Sequence, residues 1–276
     1  MITICSYHVF VFSATLVAHL RLNTPPFFER VRSKLLDSAT LVLLGAGLIT
    51  GFSKFSVGGM GMLILPLLMI THSGPEALGI MVPMYIVTDL VVISLYSKQV
   101  NWGVLLRLLP LQLLGMIMGS WLLADMSASV FSWLIGSIII GMVSLSWWLE
   151  HHDAAFMRQP AMASCVGLVT GVISMTASAA GPLMSLYMLE QKLTRTAYIS
   201  TRAFFFLIID LAKIPMLLSL GYLNMETTLT GIKALPAVAI GAFIGFLLLR
   251  SLKLTQFKWI IRGMAAVAAI KLFMFS

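Results

Sequence analysis

Apolar runs of 15 to 23 residues, separated by short polar connections, recur between Leu41 and Phe273. A helix needs about 20 such residues to cross a bilayer, so the runs predict membrane spans. Strand alternation of the outer-membrane barrel kind is absent, and continuous Leu, Ile, Val and Met argue against it. Two runs are interrupted at their centres. The first, Gly47 to Pro66 (GLITGFSKFSVGGMGMLILP), has a near-copy at an offset of 120 residues, Gly167 to Leu186 (GLVTGVISMTASAAGPLMSL). Both open with G-L-(Ile or Val)-T-G, pass through a small, hydroxyl-rich middle and reach Gly61 or Gly181 at one constant offset. Unwound backbone survives in lipid only where protein covers it or where it lines a cavity. Matching interruptions in two halves are the sequence mark of a secondary transporter's binding site.

The pattern predicts an all-α polytopic membrane protein of two inverted repeats, each a broken or re-entrant helix pair followed by three transmembrane helices. Residues 1–38 hold an apolar segment and a polar linker, 39–150 the first repeat, 151–160 an inter-repeat linker and 161–276 the second repeat. The first broken pair is expected at 39–54 and 57–71, with helices at 77–97, 102–124 and 129–149. The second is expected at 161–175 and 179–190, with helices at 196–220, 228–250 and 256–274. A further match supports duplication: Leu109-Pro110, Gly115, Gly119 and Leu122-Leu123 align with Leu235-Pro236, Gly241, Gly245 and Leu248-Leu249. Glycines four apart share a helix face and let backbones approach inside a membrane, so both pairs read as helix packing rather than pore lining. A broken pair returns the chain to its starting side, and three further spans then invert the second half.

Composition and charge narrow the class. Of 276 residues, 59% are hydrophobic and 10% charged, and the mean hydropathy is +1.00. Soluble domains carry about 25% charged residues, so this chain cannot clothe a water-facing surface. The net charge of +8 would suggest nucleic acid in a soluble protein. Here Lys and Arg instead set orientation, and the bilayer is the expected partner. Lys98, Arg158, Lys192, Arg195, Arg250 and Lys253 fall on one face, while connections 72–76, 125–128 and 221–227 carry no Lys or Arg. The basic face is expected to be cytoplasmic. The linker at 21–38, with Arg21, Arg30, Arg32 and Lys34, runs against that count. All six Trp residues (102, 121, 133, 147, 148, 259) lie at expected helix ends, as interfacial anchors do. Residues 1–20 are apolar without a preceding Lys or Arg, and read as an extra span, an interfacial helix or an upstream extension. Cys5 and Cys165 form no disulfide or metal pattern, and the 19 Met residues read as packing. His151-His152-Asp153 reads as a solvated linker, so no cofactor or metal is expected. With no H-E-x-x-H and no G-x-S-x-G, the chain is not expected to be an enzyme.

Four ionisable residues, Lys54, Asp89, Asp210 and Lys213, lie well inside expected spans. A charge at mid-bilayer costs about 3 kcal/mol on insertion scales, so four unpaired would cost on the order of 12, comparable to a domain's whole stability. They must face protein or water and find partners, and Asp210 and Lys213, three apart, could pair with each other. Lys54 stands at the first break, flanked by Ser53 and Ser56 and followed by Gly58 and Gly59. Ser174, Thr176, Ser178 and Gly181 surround the second. Half-helix ends present unpaired N–H groups and a positive dipole end. With several hydroxyls and one ammonium they are expected to form an electropositive pocket for a small oxyanion. Asp89 and Asp210 match at an offset of 121; either could carry a coupling proton or lock its helix by a hydrogen bond. Thr88, Thr201 and Arg202 are lesser candidates.

Taken in order, these residues resemble the TauE/SafE family of sulfite and organosulfur-anion exporters. The likeness runs through Gly51-Phe52-Ser53-Lys54, Gly58-Gly59, Pro66, Val82-Pro83, Thr88-Asp89, Lys98, Trp102 and Leu109-Pro110. It resumes at Ala179-Ala180-Gly181-Pro182, Tyr187, Thr201 to Phe206, Lys213, Pro215 and Gly221, and covers roughly residues 39 to 262. Met60 inside the glycine cluster and a charged Asp210 depart from the commoner family pattern. The resemblance implies a bacterial inner-membrane carrier exporting sulfite, a sulfonate or a related small anion by secondary transport. An inside-negative potential would help, by about 2.3 kcal/mol per negative charge at 100 mV. An anion channel and a carrier of small carboxylates are the alternatives.

Overall fold

The computed structural model describes residues 37–55, 60–96, 99–151 and 155–248. The chain divides into two compact units, 1–41 and 42–276; of the first, the described part is 37–41, which opens helix α1. The N-terminal segment, Ser56, Gly58, Gly59, Lys98, His152-Asp153 and everything from 249 onward, including Arg250, Lys253 and the expected helix at 256–274, lie outside the described residues.

All regular structure among the described residues is helical. In chain order it comprises α1 (Ser38–Phe55), a 3-10 turn (Met60–Leu63), α2 (Ile64–Leu68), α3 (Gly74–Tyr96), α4 (Trp102–Ala124) and α5 (Ala128–His151). A 3-10 turn (Ala155–Arg158) then leads to α6 (Pro160–Ala177), α7 (Gly181–Glu190), α8 (Arg195–Ser219), α9 (Met225–Lys233) and α10 (Leu235–Leu248). Four helices, α1, α3, α4 and α5, are long and apolar enough to cross a membrane, and the bent pair α9–α10 makes a fifth if it counts as one span. Helix α8 has 25 residues, about 37 Å at 1.5 Å per residue, which is also membrane-spanning length. It carries Arg202, Asp210 and Lys213, all buried, so the charge that makes it less apolar is turned inward.

The expected single helix at 228–250 is instead two, meeting at an angle of 44°. Pro236 has no N–H for the carbonyl of Ile232, and the backbone N–H of Ala234 turns to Gly231 and Ile232 as a cap. Pro110, its counterpart, is absorbed inside the continuous α4. Upstream, α9 is fixed by a capping box: Asn224 Oδ1 accepts from Thr227 N at 2.9 Å, and Thr227 Oγ1 accepts from Asn224 N at 2.9 Å.

Close helix crossings carry the glycines. A Cβ on Gly167 would sit 2.8 Å from the carbonyl of Leu108, and one on Gly47 2.9 Å from that of Ala234. One step along, Gly171 lies against Gln112 O and Gly51 against Val238 O; on the facing helices Gly115 meets Leu168 O and Gly241 meets Leu48 O. A Cβ on Gly119 would come 3.1 Å from Val172 O, and one on Gly245 3.0 Å from Phe52 O. Each contact in the α4–α6 crossing thus has a partner in α1–α10, at offsets of 120 and 126 residues. In lipid, where association gains little from the hydrophobic effect, such backbone approach is a main source of helix attraction. Elsewhere Thr201 Oγ1 accepts from Asn101 N at 2.8 Å and Ser200 donates to the carbonyl of Tyr96, which ties the start of α8 to the α3–α4 connection.

Candidate functional site

Lys54 ends α1 and reaches into the bundle. Its ammonium donates to both carboxylate oxygens of Asp89 on α3, at 2.8 and 2.7 Å. It also lies 3.6 Å from Oδ2 of Asp210 on α8, an oxygen with no hydrogen-bond partner among the described residues. Asp210 Oδ1 accepts from Lys213 Nζ at 3.0 Å, and Lys213 donates further to Ser178 Oγ at 3.2 Å. The four charges expected to need partners therefore satisfy one another in a single chain of contacts. Lys54 is the most accessible, with its side chain 11% exposed against 1–4% for the other three.

Two aromatic rings complete the setting. The Lys54 ammonium lies 4.6 Å from the ring centroid of Tyr85 and 4.8 Å from that of Phe206, distances at which ring quadrupoles attract a cation. Tyr85 lies four residues before Asp89, and Phe206 four before Asp210. Neither ring was among the site residues expected from the sequence, where Phe206 only closes the Thr201 to Phe206 stretch of the family resemblance. The repeated signal, an aromatic residue one turn ahead of each intramembrane Asp, is present at the same offset of 121.

The broken helices bracket this cluster. At the second break Ser178 caps α6 in the left-handed region, φ 50° and ψ 24°, with its N–H and hydroxyl both on Ser174 O, at 3.2 and 3.4 Å. A non-glycine residue there carries strain of about 1–2 kcal/mol. Helix α7 begins at Gly181 with Pro182 and no side-chain cap, and the space beside Gly181 is open to 4 Å. At the first break the described backbone resumes at Met60, where a Cβ on Gly61 would come 3.7 Å from Ser53 Oγ and 3.8 Å from Tyr85 Oη. The Tyr85 hydroxyl is buried with no partner among the described residues.

Several expected groups are spent on structure. Thr176 Oγ1 donates to Val172 O at 2.8 Å, and Thr88 Oγ1 lies 2.8 Å from both Met84 O and Tyr85 O. Ser174 is buried, its carbonyl taken by the Ser178 cap. Ser56, Gly58 and Gly59 fall outside the described residues. The expectation of an electropositive pocket changes most: Lys54 is answered charge for charge by Asp89, because α1 and α3 bring together residues 35 apart in sequence.

Ion pairs sealed among apolar, membrane-length helices are the mark of a multi-pass membrane protein. The chain belongs to a family of membrane transporters, the sulfite exporter TauE/SafE family, whose model matches residues 43–272. No curated protein and no solved structure matches the chain.

Proposed function

We propose that the protein exports a small sulfur oxyanion, sulfite or an organic sulfonate, across the bacterial inner membrane by alternating access, with Lys54 as the docking cation. The observation that carries this reading is the Lys54 ammonium, approached by matched carboxylates and matched rings from both halves of the chain and the most accessible charge of its cluster. An oxyanion entering beside Lys54 takes the place held by the Asp89 carboxylate, itself a planar pair of oxygens on the same ammonium. The Tyr85 hydroxyl, without a partner among the described residues, and the amides of α7, which has no side-chain cap, are further donors within the same region. The two inverted repeats then rock about this site, and the glycine crossings of α4–α6 and α1–α10 are the rigid joints that move as bodies.

The test uses purified protein in liposomes with sulfite, methanesulfonate, sulfate and acetate. Saturable flux of a sulfur oxyanion, lost in Lys54→Gln while the variant still inserts, is the expected result. Flux that rises linearly without saturation favours an anion channel, and preference for acetate favours a carboxylate carrier. Unchanged affinity in Lys54→Gln removes the role given to Lys54.

A further inference from the structure

The charge count of the cluster bears on what travels with the anion. Lys54 and Lys213 contribute two positive charges and Asp89 and Asp210 two negative, so the ionised cluster is neutral. Its members are not equivalent. Asp210 retains Lys213 at 3.0 Å whatever Lys54 does, and Ser178 Oγ holds Lys213 in place at 3.2 Å. Asp89 has no such reserve. Among the described residues Lys54 is the cation within 4 Å of it, and the residue matching Lys213 in the first half is Val92. The groups facing Asp89 are Lys54 from α1 and Asp210 from α8, with Tyr85 one turn earlier on its own helix. Lys213 lies beyond Asp210, and Arg202 beyond the Phe206 ring, 5.8 Å from its centroid. An anion that takes Lys54 from Asp89 would leave a buried carboxylate alone beside both Asp210 and the newcomer. Removing one partner of a buried pair is strongly unfavourable because the remaining charge is uncompensated.

We propose that Asp89 takes up one proton each time a monoanion docks on Lys54, so that the loaded carrier stays neutral and one proton crosses with each anion. The inference rests on Lys54 as the docking cation. The proton passes from water on the substrate's side to a carboxylate oxygen of Asp89. Lys54 stays an ammonium, and its hydrogen bonds move from Asp89 to the oxygens of the anion. On release across the membrane the proton returns to water and the Lys54–Asp89 pair closes again. The membrane potential then does no work on the cycle: the anion's own gradient drives export, and an acid exterior drives the same anion inward.

Full-length protein in liposomes on a solid-supported membrane, with jumps of methanesulfonate or sulfite, reads this directly. Methanesulfonate is a monoanion at every working pH, so its charge is fixed. Flux is followed on the same preparation by labelled anion, and proton movement by an entrapped pH dye. The expected result is saturable methanesulfonate flux with no steady current and one proton per anion. In Asp89→Asn the remaining flux should carry one negative charge per anion and no proton, whereas in Asp210→Asn it should stay neutral. One net charge per anion in the unaltered protein, or proton coupling that survives Asp89→Asn, overturns the inference and leaves the anion reading standing. Flux of neither anion overturns both. Should Asp89→Asn fail to fold, the charge count of the unaltered protein decides.

Discussion

Asp89 and Asp210 lie 121 positions apart in the sequence and face one ammonium, that of Lys54, at 2.7 and 3.6 Å. Each is preceded by an aromatic residue whose ring lies on the same ammonium. Two copies of one local pattern thus converge on a residue present in only one copy, since the position matching Lys54 in the second half is Ser174. Residues at one sequence offset supply the paired walls, and the single Lys gives the site its polarity.

Breaking this pair should be costly and non-additive. Lys54→Gln and Asp89→Asn are each expected to destabilise the detergent-purified protein by about 3–5 kcal/mol, because each strands a buried charge. The double variant should cost clearly less than the sum. Additive losses in a double-mutant cycle would show that the two charges do not act on each other. The half-exposed Arg158–Glu190 pair, at 3.1 Å, is the contrast: Glu190→Gln should change stability by less than about 1 kcal/mol.

Tyr85→Phe should separate ring from hydroxyl. The ring stays on Lys54 and a buried hydroxyl without a partner among the described residues is removed, so thermal stability should hold or rise slightly. If the hydroxyl donates to the anion, affinity should fall by about 0.5–1.5 kcal/mol, roughly 2- to 10-fold, by thermal-shift titration with sulfite. An unchanged dissociation constant would take Tyr85 out of the binding set.

The glycine crossings predict a graded series. Gly167→Ala and Gly47→Ala drive a methyl group to 2.8 and 2.9 Å from backbone carbonyls that cannot turn aside, and each should cost about 1–3 kcal/mol. Gly141→Ala, with nothing within 4 Å of the new Cβ, should be neutral or gain up to about 1 kcal/mol from helix propensity. Equal melting temperatures across the three variants would contradict the packing assigned to these helices.

Ser178 combines two opposing effects. Glycine at this position relieves the left-handed backbone at φ 50° but removes the hydroxyl that receives Lys213 Nζ, whereas alanine removes the hydroxyl and keeps the strain. Ser178→Ala should therefore be less stable than Ser178→Gly by about 1 kcal/mol in thermal unfolding. The reverse order would mean that the hydroxyl and the strain are not separable in this way.

Among the described residues the helix positions and the interruption at Ser178 were legible because hydropathy and its breaks are written along the chain. The bend between α9 and α10 was not, since the same Leu-Pro step sits inside an unbroken helix at Leu109-Pro110. Tyr85 and Phe206 were missed as site residues because aromatic residues are common in apolar helices and only their shared distance from an Asp distinguishes them. The hydroxyls of Thr88, Thr176 and Thr201 looked free in sequence; each is committed to a backbone group.

What the sequence determined by itself is that Lys54, Asp89, Asp210 and Lys213 must be shielded from lipid, since an isolated charge in hydrocarbon is too costly to leave unpaired. What it left open is the pairing. Lys213 could be matched with Asp210 from local spacing, but Lys54 finds Asp89 across 35 residues and Asp210 across 156. Only the way α1, α3 and α8 pack against one another decides those distances, because the Coulomb attraction acts through space and the hydrophobic pattern records no more than which residues avoid water.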